Sequence, residues 1–581
     1  MKKLRIKFVH WLLAGLCLSL IWACSGDSIP PVDSFESAQK VLQEKVLPKI
    51  QVDKEIIPDQ VAARYAVDKI SEPLPKLEDF SLYGAQPSND TNTVYIEIFS
   101  STEKGNAKKQ DERWLVDVAE AFNTKKITVS SGQVIQVGIR NIPSGTATRL
   151  LTAKTVKPTG FTPSNELWLA MLKSQGVSLT MVNPALVPNQ PGFLVQSKDY
   201  QKLATNGSLT FEQLLDAILA GKITIGYPNP YASSSALNLL YTVFWRGAGH
   251  HQDKKMLTVA DLQSPQVNSV FDTFQKQVLV TTLTTLDLKE LFIRDQQKLQ
   301  AFPLEYQSYA TLKKLPGFEQ TVFIPFGVPH NSPLVGFDWN TPTQREALKK
   351  FAEFATSAPM QQLAKTQGFE AINSLRSSDL PPVPSGEVLN AAQSYWKQRK
   401  DGGRTVYMMI VIDTSGSMEG DRIKAVKEGL QIASREINSG NQVGLMTFSD
   451  RPKYLVPLAT FDTLQHQRLL AAIDELRADG NTAMYNGIIT GLADLMERKK
   501  TDKNGRFYLL LLSDGEANAG FKFDQVKDIV KYSEVRVYPI AYGEVNQQEL
   551  QSLSSLREST VQAGNPQNVQ RLLKELFQTN L

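Results

Sequence analysis

In the stretch Asp413-Thr414-Ser415-Gly416-Ser417, one carboxylate and two hydroxyls alternate directly after the apolar run 406–412. A second carboxylate, Asp514, follows another apolar run at 507–512, and Thr482 closes the loop Asp479-Gly480-Asn481-Thr482. An oxygen set with no histidine or cysteine suits a hard divalent cation, Mg2+ first, with Mn2+ or Ca2+ as alternatives. Neutral hydroxyls offset the ion's charge less than carboxylates would, so the ion stays electrophilic and keeps a site for one outside oxygen. The plainer reading is a strand-to-helix turn with a serine N-cap. The recurrence of Thr482 and Asp514 in matching places favours the metal. A metal-dependent hydrolase would also need a general base beside the ion. These five positions supply none, and Glu419 and Glu516 read as solvated loop charges.

Such a cluster forms only if several segments end at one edge. Over 404–581 the pattern predicts strands at 405–412, 443–448, 507–512 and 535–541. A short edge strand is expected at 453–457 and a last one at 559–562. Helices fit at 422–437, 464–476, 483–497, 547–554 and 566–577. Runs such as Tyr508-Leu509-Leu510-Leu511-Leu512 are apolar throughout, as parallel strands covered on both faces must be. Doubly wound sheets of this kind present ligands at the carboxyl ends of their strands.

With Asp-x-Ser-x-Ser at 413–417, Thr482 and Asp514-Gly515, residues 404–581 resemble the von Willebrand factor A domain with a metal-ion-dependent adhesion site. The resemblance implies a Rossmann-like fold. It also implies that Ser415 and Ser417 ligate the metal directly, that Thr482 does so when a partner is bound, and that Asp413 and Asp514 act through water. The implied partner is a protein offering an Asp or Glu to the ion.

Residues 91–376 also alternate strand, loop and helix. Strands are expected at 94–99, 134–139, 178–182 and 223–227. Ser100-Ser101 and Ser144-Gly145-Thr146 follow the first two strands, and Asn229-Pro230 leads to Ser233-Ser234-Ser235 at a helix start. In order and spacing this region resembles a type II periplasmic solute-binding protein. That implies a two-lobed α/β domain holding a small polar or anionic solute, with Ser100, Ser144 and Ser234 as candidate ligands at helix N-termini. Each of the three serines is equally well read as a helix cap. His250-His251 reads as a polar surface loop, because adjacent histidines in an extended chain diverge and no second ligand cluster is present.

The N-terminus carries Lys2, Lys3, Arg5 and Lys7, then an apolar stretch from 8 to 22 that ends Ile21-Trp22-Ala23-Cys24. This resembles a bacterial lipobox, although Trp22 is bulkier than usual there. The implied leader is 1–23, with lipidation at Cys24 and an anchor as the sole membrane attachment. Ser25 fits outer-membrane sorting where two membranes exist. Cys17 is the only other cysteine, so a chain cleaved there has no internal disulfide. Residues 24–90 are expected to be an anchored spacer, and the Pro-rich stretch within 377–403 an exposed linker. A net charge of +4 with no basic stripe excludes nucleic acid as an expected partner. No Ser/His/Asp set, phosphate loop or paired-carboxylate cleft is visible, so no enzymatic activity is expected. The reading is a lipid-anchored envelope binding protein. The alternative is a solute receptor or sensor in which 91–376 does the binding.

Overall fold

The computed structural model describes residues 29–67, 74–370, 380–514, 516–543 and 547–581. Cys24 and the leader expected at 1–23 lie outside the described residues. The architecture is α/β throughout, with three sheets.

The sheet of the C-terminal unit has seven strands, ordered Asp53–Lys54, Pro452–Thr460, Gln442–Phe448, Val406–Asp413, Arg506–Ser513, Arg536–Tyr542 and Gln562–Gly564. Only the pairing of Gln442–Phe448 with Pro452–Thr460 is antiparallel. Every residue of the central strand Val406–Asp413 is buried, which explains its unbroken apolar run. Helices Asp421–Ser434, Thr463–Glu475 and Val569–Asn580 cover one face through residues such as Val426, Leu469 and Leu573. Helices Met484–Thr501, Phe523–Tyr532 and Gln547–Ser555 cover the other through Ile488, Val526 and Leu550. The helix Phe523–Tyr532 has no counterpart in the sequence reading. Only Val526, Ile529 and Val530 of it are buried, so its apolar stripe is narrow.

The expectation that residues 24–90 form a spacer is corrected from residue 29 onward. Helix Phe35–Val41 begins at Ser34, whose hydroxyl accepts from the Ser37 N–H. Val41, Leu42, Val46 and Ile50 bury themselves with Met409, Leu492 and Met496 of the C-terminal unit. Asp53–Lys54 then adds the edge strand, and Ile57 and Ala62 enter the opposite face. Four buried aliphatic side chains at about 1.5–3 kcal/mol each outweigh the polar residues between them. The segment Leu74–Phe80 belongs to the next domain, where Arg140 Nη1 donates to the carbonyls of Leu77 (3.1 Å) and Phe80 (2.9 Å).

The middle region forms two lobes. The first has six strands, ordered Leu82–Gly84, Val134–Asn141, Thr93–Ser100, Gly160–Thr162, Leu334–Phe337 and Leu179–Asn183. The second has five, ordered Thr321–Pro325, Pro191–Gln196, Ala301–Glu305, Ile225–Pro228 and Val278–Thr282. Between its strands the chain passes from the first lobe to the second at 184–190 and back at 326–333.

The exposed linker expected within 377–403 is also corrected. Pro381 and Pro384 are buried, and the Tyr241 hydroxyl donates to the Pro382 carbonyl. Helix Gly386–Arg399 packs Val388, Leu389, Ala392 and Trp396 into the second lobe. Trp396 Nε1 donates to Tyr227 Oη at 2.7 Å. The prolines do not leave the chain loose, because the helix Gly386–Arg399 follows them at once and packs its apolar side chains.

The second lobe also meets the C-terminal unit along a polar seam. Asn229 Nδ2 donates to Gln578 Oε1 (2.9 Å), Lys298 pairs with Glu558 (2.7 Å), and Asp287 accepts from Thr560 (3.0 Å) and Gln562 (2.9 Å).

Candidate metal and ligand sites

Asp413 is the last residue of the central strand, and its side chain is buried beneath the loop that follows. One carboxylate oxygen accepts from the Ser415 N–H at 2.9 Å and the other from the Ser513 hydroxyl at 2.6 Å. Burial pushes its pKa above the usual carboxylate range and the nearby Asp514 adds to that, against the hydrogen bonds from Ser415 and Ser513. Above Asp413 the oxygens link in sequence. Ser415 Oγ lies 3.1 Å from Ser417 Oγ, and Ser417 Oγ donates to Asp514 Oδ1 at 2.7 Å.

The Thr482 loop is stitched to the same edge. Gly416 N–H donates to the Gly480 carbonyl (3.0 Å) and Asp479 N–H to the Thr414 carbonyl (2.8 Å). The Thr482 N–H donates to Asn518 Oδ1 at 2.8 Å, which fixes the loop from its far side. Asp450 accepts from the Asn481 N–H and amide at 3.1 and 2.6 Å. Ser415, Thr482 and Asp514 are buried while Gly416, Ser417, Gly480 and Asn481 are exposed, so the edge is firm below and open above. The five residues named from the sequence thus share one strand-end edge and could hold a hard cation.

Sequence reasoning missed Ser513, Arg422 and Asn518. Arg422 Nη1 pairs with Asp514 Oδ2 and donates to the Ser417 carbonyl at 3.2 Å. It therefore offsets one of the two negative charges of the cluster. Ser513 was readable in principle, since it precedes Asp514 at a strand end. Arg422 was not, because nothing in its local sequence aims it at residue 514.

The solute-site serines fare differently. Ser100, Ser144 and Ser234 are all buried, and each is committed to the protein. Ser100 Oγ donates to the Ser101 carbonyl at 3.1 Å. Ser144 Oγ lies 3.4 Å from the Ser164 N–H, and Ser234 Oγ accepts from Trp168 Nε1 at 2.9 Å. That last bond spans the two lobes. The lobes meet so closely that a Cβ on Gly145 would fall 1.9 Å from the Tyr231 carbonyl oxygen.

The same seam holds buried charge that the sequence did not reveal. Lys104 is wholly buried, donates to the Thr162 carbonyl at 3.0 Å and pairs with Glu103 at 3.4 Å. Burial holds its ammonium below the usual lysine range, against the pull of Glu103 and Glu305. His330 Nε2 lies 2.9 Å from Asn165 Nδ2 and 3.2 Å from Asn238 Nδ2. The carboxamide oxygens of those asparagines accept from the Leu167 and Val328 N–H groups, so their NH2 groups must face the imidazole. Nε2 is therefore the acceptor, and the ring proton sits on Nδ1, 3.3 Å from Glu305 Oε1. His250 lies 3.2 Å from Asp253 and 3.1 Å from Asp261, and no group of three or more His, Cys, Asp or Glu among the described residues could hold a metal.

Residues 408–576 match the von Willebrand factor type A domain family, and residues 112–370 match the bacterial extracellular solute-binding protein family. The Synechocystis sp. protein sll0103 is 22% identical over 175 residues, a match covering 29% of this chain and 40% of that protein's length. Among solved structures, a von Willebrand factor type A protein from Catenulispora acidiphila is 20% identical with a TM-score of 0.28, covering 30% of this chain and 42% of its own. Iron-bound HitA from Pseudomonas aeruginosa is 16% identical with a TM-score of 0.37, covering 53% of this chain and 99% of its own. The chain carries a solute-binding domain followed by a C-terminal von Willebrand A domain. Two such modules support a binding or receptor role. No helix among the described residues is long and apolar enough to cross a membrane.

Proposed function

We propose that the chain is a cell-envelope binding protein whose von Willebrand A domain recognises a protein partner through a divalent cation, Mg2+ first, at Ser415, Ser417, Thr482, Asp413 and Asp514. The observation that carries this reading is the run of oxygens from Ser415 to Ser417 to Asp514, at 3.1 and 2.7 Å, reached from solvent at the exposed Ser417. Hydroxyls and carboxylates are the donors a hard cation takes. A cation held there would supply an electrophilic centre with a position for a partner's carboxylate. Asp413 contributes from below. By fixing the Ser415 N–H and Ser513 hydroxyl it sets where Ser415 points. Arg422 balances Asp514 when no other cation does so. The lipid anchor at Cys24 belongs to the same proposal, with an outer membrane as its place where the cell has two.

The test is capture of partners from envelope extracts with Mg2+ and with EDTA, alongside Mg2+ titration of the wild type and Ser417→Ala. Partner capture that is lost in EDTA and weakened in Ser417→Ala supports the reading. Full capture in both conditions would overturn it. For the anchor, Cys24→Ser should release the chain from membranes, and unchanged extraction behaviour would refute lipidation.

A second reading is favoured by the buried seam between the lobes. Lys104, Glu305 and His330 are the kind of convergent polar groups that a solute site uses. In this reading 91–376 binds a small polar or anionic solute when the lobes part, and the C-terminal domain relays occupancy. Solute-dependent thermal stabilisation that Lys104→Gln abolishes would favour it.

A further inference from the structure

A cavity of about 300 Å³ lies where the second lobe meets the base of the seven-stranded sheet, at the end opposite Asp413. Its wall carries Lys276, Arg404, Lys499, Arg506, Arg536 and Arg557 against one carboxylate, Glu534. Lys276 comes from the second lobe. Arg506 and Arg536 start adjacent parallel strands, so the sheet itself sets their spacing.

These cations exceed the anions placed to meet them. Lys499 pairs with Glu534 at 3.1 Å. Glu558 stands behind the wall, 3.4 Å from both Arg536 and Arg557, and it is also held by Lys298 at 2.7 Å. Asp401 pairs with Lys400 at 3.1 Å and lies 3.9 Å from Arg506. The Arg506 side chain is only 9% exposed, yet its Nε has no hydrogen-bond partner among the described residues, and neither has the buried Nε of Arg557. A buried guanidinium N–H without an acceptor costs free energy, so a wall with two of them signals an absent acceptor. Burial first, and then Arg506, pushes Arg404 down to about 10. Burial would raise the Tyr508 phenol, but Arg506 and Arg536 outweigh it and hold it below its ordinary value. Both shifts report the same excess of positive charge.

We infer that this cavity binds a tetrahedral oxyanion dianion, phosphate or sulfate or the phosphoryl group of a larger solute, across the junction of the two domains. Guanidinium forks match such oxyanions two oxygens at a time. The volume is at the lower end for small-molecule sites and admits the anion with waters. Because Lys276 belongs to one domain and the arginines to the other, an occupant ties the solute-binding lobe to the von Willebrand A sheet.

The experiment is thermal unfolding of the full chain in sodium phosphate, sulfate, pyrophosphate and chloride at matched ionic strength, with calorimetric titration of inorganic phosphate. A saturable rise in Tm with phosphate or sulfate over chloride is expected, since a ligand that binds only the folded state raises stability with concentration. A preference for pyrophosphate would point to the phosphoryl group of a larger solute. In the double variant Arg404→Gln, Arg557→Gln the response to phosphate and sulfate, read against the variant's own Tm in chloride, should vanish. Lys276→Glu, on the exposed rim, should weaken phosphate binding by about tenfold without touching the fold, and it keeps the test decisive if the double variant does not fold. Equal Tm shifts in chloride, or an unchanged phosphate titration in Lys276→Glu, would overturn the proposal.

Discussion

The Asp413 edge and the seam between the lobes both gather polar side chains at strand ends, yet they use them in opposite ways. At the edge, the oxygens of Ser415, Ser417 and Asp514 link in sequence with Ser417 exposed above, and the buried carboxylate of Asp413 steadies them from below. At the seam, Ser100, Ser144 and Ser234 are buried, and the charged groups Lys104, Glu103 and Glu305 answer one another. An open cluster can be altered with little loss of fold and much loss of binding. A closed one trades the other way, because a buried group that loses its partner is left desolvated.

The largest expected effect is therefore at the seam. Lys104→Met leaves Glu103 and Glu305 without their buried cation and should cost about 3–5 kcal/mol of stability in denaturant unfolding. A loss below about 1 kcal/mol would mean that water enters the seam and that it is not closed in solution. Next is the segment that the sequence presents as a spacer. Leu42→Ala removes a fully buried side chain and should cost about 2–5 kcal/mol, visible as a lower Tm of the C-terminal unit. An unchanged Tm would return 29–67 to the role of a tether and leave the edge with fewer supports than it has here.

At the edge the expected change is in binding. Asp514→Ala should lower Mg2+ affinity by about 10- to 100-fold in calorimetric titration, while unfolding shifts by about 1 kcal/mol or less. Asp413→Ala should lower affinity to a similar degree but also cost stability, because the buried Ser415 N–H and Ser513 hydroxyl lose their acceptor, at about 1–3 kcal/mol. Arg422→Met should act in the opposite direction. It frees Asp514 from its guanidinium and should raise Mg2+ affinity by about tenfold. Weaker Mg2+ binding in Arg422→Met would show that the arginine orients Asp514 and does not compete for it.

The two clusters also differ in how far the sequence discloses them. The edge is legible because three of its five residues fall within one turn of chain, and the other two sit in the loops and strand ends that a parallel sheet brings to the same side. Arg422 escapes notice, as its role depends on a contact 92 residues away. The seam is opaque for a plain reason. Lys104, Asn165, Asn238, Glu305 and His330 come from separate segments, and none carries a local mark of burial. The N-terminal segment and the Pro-rich stretch misled for a related reason. Prolines, lysines and aspartates scattered through both segments read as spacer, while the apolar residues between them, Leu42 and Trp396 among them, decide where they pack.

The smallest effect is a pH dependence carried by His466, whose surroundings differ from those of His330. His330 keeps a carboxylate, Glu305, at 3.3 Å. His466 has none beside it. Its Nε2 lies 2.8 Å from Ser434 Oγ, and the Ser434 hydroxyl already donates to the Gln431 carbonyl at 2.6 Å, so the imidazole must be the donor. Burial, with Arg435 adding to it, pushes its pKa down to about 4 from 6.5. A base whose folded pKa is depressed binds its proton more tightly when unfolded. The stability it contributes is then complete above pH 6.5 and is lost as pH falls toward 4. The C-terminal unit should lose about 1–2 kcal/mol across that window, a figure discounted for partial solvent contact. His466→Gln should flatten that part of the pH profile and leave the Mg2+ titration at neutral pH unchanged, because residue 466 lies on the helix Thr463–Glu475, away from the Asp413 edge. A profile that keeps its slope in His466→Gln would show that the acid sensitivity does not come from His466.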